Sequence, residues 1–256
     1  VTKSFGRNKV QFWFSRDSNS IVMTIPVAIL AGGLAKRLKK NTLNKAKALI
    51  DIAGKPFISR QLSYLSNQNI KDIVICTAHL GNQIKDYVGD GSRFNLKVSY
   101  SDDGDKLLGT GGSIKKASQI LGENFFILYG DSFLPINFSL VEKAYFYQKK
   151  PALMTVFKNN GFWDKSNAYF ENKSVLYNKK NPQKNMNYID YGLNVVRSSI
   201  FYNFPSNKTF DLSDVFEDLS KKSLLAGLEI YERFYEIGSI NGLNDTIDFF
   251  KKLENK

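Results

Sequence analysis

Between residues 25 and 150, short apolar runs alternate with stretches that carry apolar residues at helical spacing, and this alternation restricts the chain to a few layered folds. Segments 25–31, 72–77, 96–101 and 125–129 read as buried strands. Between them 56–68, 81–88 and 112–121 read as amphipathic helices, with Phe57, Leu62 and Leu65 marking one face of the first. Strands and helices alternating at this spacing imply an α/β, Rossmann-like, mostly parallel mixed sheet flanked by helices. After about Pro151 the pattern changes. Strands expected at 153–158, 168–171, 174–177 and 189–196 form a small antiparallel extension, followed by helices at 199–203, at 212–221 with Asp211 as N-cap, and at 241–253. Residues 1–22 lack a long periodic apolar segment and read as a loose N-terminal extension to a single domain over 23–256.

The composition removes several kinds of chemistry. With one cysteine (Cys76) and one histidine (His79), an internal disulfide and a Cys/His zinc site are both excluded. A Ser-His-acid triad would have to use His79, and a Cys-His pair would have to join Cys76 to His79; the position of Cys76 in the apolar run 73–76 argues against the pair. The net charge of +12 calls for an acidic partner, but the lysines are scattered in short pairs such as Lys39-Lys40 and Lys221-Lys222, and no motif that reads nucleic acid is present. The longest apolar stretch, 21–31, falls short of the ~20 residues a membrane span requires and is interrupted by Thr24 and Pro26.

In an open parallel sheet, ligands sit beyond the carboxyl ends of the strands, which brings 31–37, 78–80, 108–112 and 130–132 together. The first strand runs into Leu30-Ala31-Gly32-Gly33-Leu34-Ala35-Lys36-Arg37-Leu38, where two glycines let backbone N–H groups approach anionic oxygens and Arg37 adds fixed positive charge. The spacing is neither that of a P-loop nor that of a dinucleotide fingerprint. Ten residues after Arg37 comes Lys47-Ala48-Leu49-Ile50-Asp51-Ile52-Ala53-Gly54-Lys55-Pro56. The pair of segments resembles the signature of the sugar-1-phosphate nucleotidylyltransferases (the nucleotidyl transferase, or NDP-sugar pyrophosphorylase, family), in which L-A-G-G-x-G-T-R-L leads into P-K-[PA]-L and then G-K-P. Ala35 stands for the usual Gly, Lys36 for Thr and Ala46 for Pro. The resemblance continues through Gly89-Asp90-Gly91-Ser92-Arg93-Phe94, Leu108-Gly109-Thr110-Gly111-Gly112, Gly130-Asp131-Ser132 and Phe234-Tyr235-Glu236-Ile237-Gly238-Ser239, and so covers roughly 25–253.

That resemblance implies a fold of the nucleotidyltransferase type and a cytoplasmic enzyme that uses Mg²⁺, an NTP and a sugar 1-phosphate, with no nucleic-acid partner. It also implies roles. Arg37 would neutralise the β- and γ-phosphates and Lys47 would hold the α-phosphate. Asp131 would bind Mg²⁺, with Glu236, in place of the family's Asp, as the second carboxylate. Ala31, Gly32, Gly33, Gly109 and Thr110 would line the nucleotide site. His79 stands where thymidylyltransferase-like members often carry a base-reading Gln. Glu171, Lys179 and Gly192 would serve the sugar phosphate. The Gly-Thr-Gly-Gly-Ser form is closest to the heptose, mannose or hexosamine 1-phosphate guanylyltransferases and the N-acetylmuramate 1-phosphate uridylyltransferases, with GTP favoured.

The residue types fit this chemistry on their own terms. A sugar 1-phosphate is a dianion near neutral pH, since phosphomonoesters have a second pKa of about 6, so it attacks phosphorus without a general base. Charge neutralisation and in-line positioning are what the reaction needs. The departures at Ala35, Lys36, Ala46 and Glu236 leave a catalytically weak, nucleotide-sugar-binding homologue as the alternative. A basic nucleic-acid-binding protein and a glycosyltransferase of related architecture are further rivals.

Overall fold

The four apolar residues Val27–Leu30 make an interior strand, because their alternating side chains feed hydrophobic layers on both sides of a sheet. The computed structural model describes residues 24–33, 44–104, 106–159, 161–205 and 208–255. The expected N-terminal extension over 1–22 lies outside the described residues, as do Lys36 and Arg37.

In chain order the elements are β1 (Val27–Leu30), the hairpin β2 (Asp51–Ile52) and β3 (Lys55–Pro56), α1 (Phe57–Asn67), β4 (Asp72–Thr77), α2 (Gly81–Val88), β5 (Lys97–Asp102) and α3 (Gly109–Leu121). There follow β6 (Asn124–Tyr129), β7 (Ser132–Phe133), α4 (Phe138–Gln148), β8 (Ala152–Lys158), β9 (Ala168–Glu171), β10 (Ser174–Tyr177) and β11 (Tyr188–Arg197). The last elements are α5 (Leu212–Lys221), β12 (Leu225–Ile230), β13 (Tyr235–Glu236) and α6 (Ile240–Glu254).

Nine strands form one sheet in the order β5-β4-β1-β6-β11-β8-β12-β10-β9. β1 pairs in parallel with β4 on one side and β6 on the other, and β5 continues the parallel half. β11 then runs antiparallel to both β6 and β8, so the antiparallel extension is woven into the same sheet. Parallel pairing returns between β8 and β12, and the β9–β10 hairpin closes the far edge. Val27 and Ile29 join Leu62 of α1, Ile84 of α2 and Val141 of α4 in one layer. Ala28 joins Ile114 and Ala117 of α3 and Phe216 of α5 in the other. Each fully buried Phe, Ile or Leu in these layers stabilises the fold by roughly 1.5–3 kcal/mol.

Beyond the short strands β2, β3, β7 and β13 and the start of α3 at Gly109, two longer elements and one expected helix depart from the sequence pattern. α4 was not expected, because Leu140, Phe146 and Tyr147 on its outer face are exposed and erase the amphipathic contrast. β12 was not expected either; Gly227 interrupts its apolar run and sits where a Cβ would meet Phe170 and Val175 at 2.6 Å. The helix expected at 199–203 is a single 3₁₀ turn, Ser198–Phe201.

A third apolar cluster, including Ile52, Phe57, Phe133, Ile237 and Phe250, ties the β2–β3 hairpin to α6 and to the small β7–β13 ribbon. Arg60 of α1 bolts this corner together. Its buried guanidinium donates to the carbonyls of Ile52 (2.8 Å) and Ala53 (2.7 Å), pairs with Glu254 at 2.5 Å, and lies 4.7 Å over the Phe250 ring. That pairing holds the Glu254 carboxyl below its ordinary pKa.

Candidate active site

The sheet reverses its order at β1, with β4 on one side and β6 on the other, and a cleft of about 270 Å³ opens at the carboxyl ends of these strands. Ala31, Gly32 and Gly33 leave β1 along its floor. Gly130, after β6, approaches β1 so closely that a Cβ there would meet the Leu30 carbonyl oxygen at 2.4 Å, and its N–H donates to that oxygen at 3.1 Å. The opposite wall is the first turn of α3, with Gly109, Thr110 and Ser113, and an α-helix N-terminus of this kind favours anions. Gly109 takes φ +75°, and a Cβ on it would meet the Phe210 carbonyl oxygen at 2.5 Å. Ser113 donates to Asp103, which also accepts from the Leu108 N–H at 3.1 Å, so the loop before α3 is pinned to the end of β5.

Lys47 enters this cleft from a 3₁₀ turn, Lys47–Leu49, and its Nζ pairs with Asp131 Oδ2 at 2.6 Å. Both partners are held from outside. Gln83 of α2 accepts from the Ala46 N–H at 2.8 Å and donates to the Asn44 carbonyl at 2.8 Å, clamping the segment that presents Lys47. Position 46 has φ −56°, which suits proline, but only a residue with an N–H makes the bond to Gln83. Gln61 of α1 donates to the carbonyls of Tyr129 (3.2 Å) and Ser132 (2.8 Å), on either side of Asp131, and the Ile237 N–H donates to the Asp131 carbonyl at 2.9 Å.

Antiparallel pairing of β7 with β13 sets Glu236 opposite Ser132 and so beside Asp131. Glu236 Oε2 accepts from the N–H groups of Gly238 and Ser239, and Oε1 accepts from the Ser239 hydroxyl, which places the carboxylate against the N-terminal turn of α6. Three charged groups surround Gly238. A Cβ built there would lie 2.8 Å from Glu236 Oε2, 3.2 Å from Lys47 Nζ and 3.3 Å from Asp131 Oδ2.

Beyond Asp131 a second pocket of about 660 Å³ shares Tyr129 and Asp131 with the first. Its base is Asp190, whose carboxylate accepts from the Tyr129 hydroxyl (3.1 Å), the Gly192 N–H (3.0 Å) and the Asn194 amide (3.3 Å). Burial raises the Asp190 carboxyl above its ordinary pKa, against the pull of these donors and of nearby Lys179. Burial, with Asp190 beside it, also pushes the Tyr129 hydroxyl well above the usual tyrosine range, so it remains a donor. Gly192, at φ +105°, makes the bulge in β11 that leaves this space open. Phe162, Trp163, Phe234 and Tyr235 form an aromatic wall.

A sequence model of the family described as Nucleotidyl transferase matches residues 27–161, more than half of the chain. The chain belongs to the nucleotidyl transferase family. It is 38% identical over 112 residues to the N-acetylmuramate alpha-1-phosphate uridylyltransferase of Neisseria meningitidis, a match covering 43% of this chain and 48%, about half, of that protein. Similarity to the D-glycero-alpha-D-manno-heptose 1-phosphate guanylyltransferase of Campylobacter jejuni is 25% over 211 residues, covering 82% of this chain and 93% of that one. Among solved structures, HddC from Yersinia pseudotuberculosis shares the fold with a TM-score of 0.74 at 22% identity, over 89% of this chain and all (100%) of that one.

Within this nucleotidyl transferase fold, Ala31, Gly32, Gly33, Lys47, Gly109, Thr110 and Asp131 meet in the first cleft, and Asp131, Gly192 and Glu236 meet in the second. Three expected positions lie elsewhere. His79 is exposed; the wall after β4 is made by Cys76 and Ala78, because His79 precedes the left-handed Leu80 that turns the chain into α2. Glu171 sits at the turn end of the β9–β10 hairpin, remote from the strand ends that form the pocket; Asn167, just before β9, lines it instead. Lys179 lies outside the lining, near enough to Asp190 only to favour its charge. Arg37 lies outside the described residues. Asp211 stands at the α5 N-cap but makes no capping bond; Thr110 instead accepts from the Leu212 N–H at 2.8 Å. Burial pushes the Cys76 thiol up to about 12, which removes it as a nucleophile.

The carboxylates fit a divalent cation. Mg²⁺ is held by oxygen ligands, commonly one or two carboxylates with substrate phosphates completing the shell. Among the described residues Asp131 Oδ1 has one hydrogen-bond partner, the Ser132 hydroxyl at 3.4 Å, and the three donors on Glu236 leave one of about four acceptor positions open. Among the described residues no group of three or more His, Cys, Asp or Glu forms a metal cluster, so the phosphates would have to supply the remaining ligands.

Proposed function

We propose that this chain is a sugar-1-phosphate nucleotidylyltransferase, which transfers a nucleoside monophosphate from an NTP to a sugar 1-phosphate and releases pyrophosphate. The observation that carries this reading is the Lys47–Asp131 pair at the junction of two pockets, one lined by glycines and a helix N-terminus, the other by an aromatic wall and Asp190. The first suits a nucleoside triphosphate and the second a polyhydroxylated acceptor. GTP is the favoured donor, from the resemblance of the Gly109-Thr110-Gly111-Gly112-Ser113 loop to the guanylyl branch.

An oxygen of the acceptor phosphate forms a bond to the α-phosphorus as the bond between that phosphorus and the bridging oxygen to the β-phosphate breaks, and the electron pair leaves with pyrophosphate. Lys47 neutralises the α-phosphate as charge gathers there. Arg37 serves the departing β- and γ-phosphates in the same way. Asp131 and Glu236 would hold Mg²⁺, which when bound supplies further neutralisation of the phosphate oxygens. Tyr129 and Asp190 orient the acceptor, and the Gln61 and Gln83 side chains keep Asp131 and Lys47 in place so that little reorganisation accompanies reaction.

Pyrophosphate release in the presence of Mg²⁺, measured for four NTPs crossed with a panel of sugar 1-phosphates, tests the proposal. Turnover in at least one combination, abolished by Asp131→Ala, is the expected result. Nucleotide-sugar binding with no turnover in any combination would instead mark a non-catalytic homologue.

A further inference from the structure

The second pocket carries a charge pattern that bears on the kind of sugar it admits. Five carboxylates line it, from Asp131, Asp164, Asp190, Glu236 and Asp245. Asp131 pairs with Lys47, and Glu236 is turned onto the α6 N-terminus, so both belong to the phosphate end. Among the described residues lining the pocket, Arg233 is the only basic one. Its guanidinium pairs with Asp245 at 2.5 Å and lies over the rings of Trp163 (4.6 Å) and Tyr235 (5.1 Å), so its charge is already answered. Among the described residues Asp164 and Asp190 make no salt bridge.

Neither group is placed by accident of a loose loop. Asn159, almost fully buried, donates to the Asp164 carbonyl and the Ser166 hydroxyl and accepts from the Trp163 N–H at 3.1 Å, which fixes the segment presenting Trp163 and Asp164. Asp190 is fixed by its three donors and by its own N–H, which donates to Asn167 at 3.1 Å. A hydroxyl, amino or N-acyl group entering here finds acceptors and a flat aromatic face. A second anion on the sugar, distinct from its phosphate, finds two carboxylates and, among the described residues that line the pocket, no cation without a carboxylate partner.

We infer that the acceptor pocket selects sugar 1-phosphates whose sugar portion carries no negative charge, and discriminates against acidic sugars. This rests on the nucleotidylyltransferase reading given above and narrows its substrate class. The selection is by repulsion, so it needs no contact unique to the accepted sugar.

The test uses acceptor pairs that differ by a carboxylate: glucose 1-phosphate against glucuronic acid 1-phosphate, and N-acetylglucosamine 1-phosphate against N-acetylmuramate 1-phosphate. kcat/KM is measured by pyrophosphate release with the best NTP. In every pair that reacts, the neutral member is expected to be preferred by about tenfold or more, and the preference to narrow in high salt. Asp164→Asn and Asp164→Lys, at an exposed loop position, should each raise the relative use of the acidic member while leaving the KM for NTP unchanged. Equal or better use of the acidic member by the native chain, or a preference indifferent to both Asp164 variants, would overturn the inference. No turnover of these pairs or of any other sugar 1-phosphate in the panel, with any NTP, would overturn the underlying reading instead.

Discussion

The two pockets that meet at Asp131 are built from different materials. The cleft proposed for the nucleotide is made of backbone: Gly32, Gly33, Gly109 and Gly130 at strand ends and a helix start, with Lys47 and Asp131 paired at its junction with the second pocket. The pocket proposed for the acceptor is made of side chains from four separated segments, around 129–132, 162–167, 189–192 and 233–245. Phosphates look alike in every nucleotide, and fixed N–H groups recognise them at little cost in ordering. Sugars differ in stereochemistry and substituents, and only side chains vary enough to tell them apart. The contrast predicts that changes at the junction are the most damaging, changes that hold the pockets together come next, and changes within one pocket act on one substrate.

The largest effects should come from the junction itself. Asp131→Asn and Lys47→Met are each expected to lower kcat/KM by about 10³-fold, and the double variant by little more than either, because the two groups act as a unit. Steady-state kinetics with each substrate varied in turn checks this. Gly238→Ala places a carbon within 2.8 Å of Glu236 and 3.2 Å of Lys47, so kcat should fall about 10²-fold while the melting temperature changes little.

Arg60→Met tests the scaffold. It leaves the carbonyls of Ile52 and Ala53 without their donor and loosens α6, at a cost of about 2 kcal/mol in chemical denaturation. Little of that comes from the ion pair, because Glu254 is well exposed.

Asp190→Asn separates charge from shape. The folded-state pKa of Asp190 is raised above its unfolded value of about 3.9, so its contribution to stability is fully present below that value and is lost as pH rises through the folded pKa. The melting temperature of the Asn variant relative to the native chain should therefore improve from acid towards neutral pH. Ala46→Pro should be the mildest change, under about 1 kcal/mol, since the rigid φ offsets part of the lost bond to Gln83.

The same contrast explains what the sequence disclosed. The parallel half of the sheet and the gathering of the glycine loops into the first cleft are legible because each part is a local signal, a short apolar run followed at once by glycines or by a helix start. Gly109, Lys47 and Asp131 carry their meaning in neighbouring residues. The acceptor pocket had no such signal: Asp190 and Asn167 acquire their roles only when the bulge at Gly192 and the antiparallel β11 bring them beneath Tyr129. Glu171 sits at the turn end of the β9–β10 hairpin, and the periodicity of a hairpin does not say which of its ends meets the cleft. Gln61 and Gln83, which hold the segments that present Asp131 and Lys47, look like ordinary polar positions on amphipathic helices until their partners are seen. Ala46 gained its explanation only with Gln83 opposite.

The most direct test of the division between the pockets is a pair of Michaelis constants measured on two variants. Asp190→Asn should raise the KM for sugar 1-phosphate by about tenfold and leave the KM for NTP within about twofold. Gly109→Ala, which forces a Cβ against the Phe210 carbonyl at a left-handed position, should do the reverse. If either variant moves both constants together, the two pockets do not divide the substrates as described.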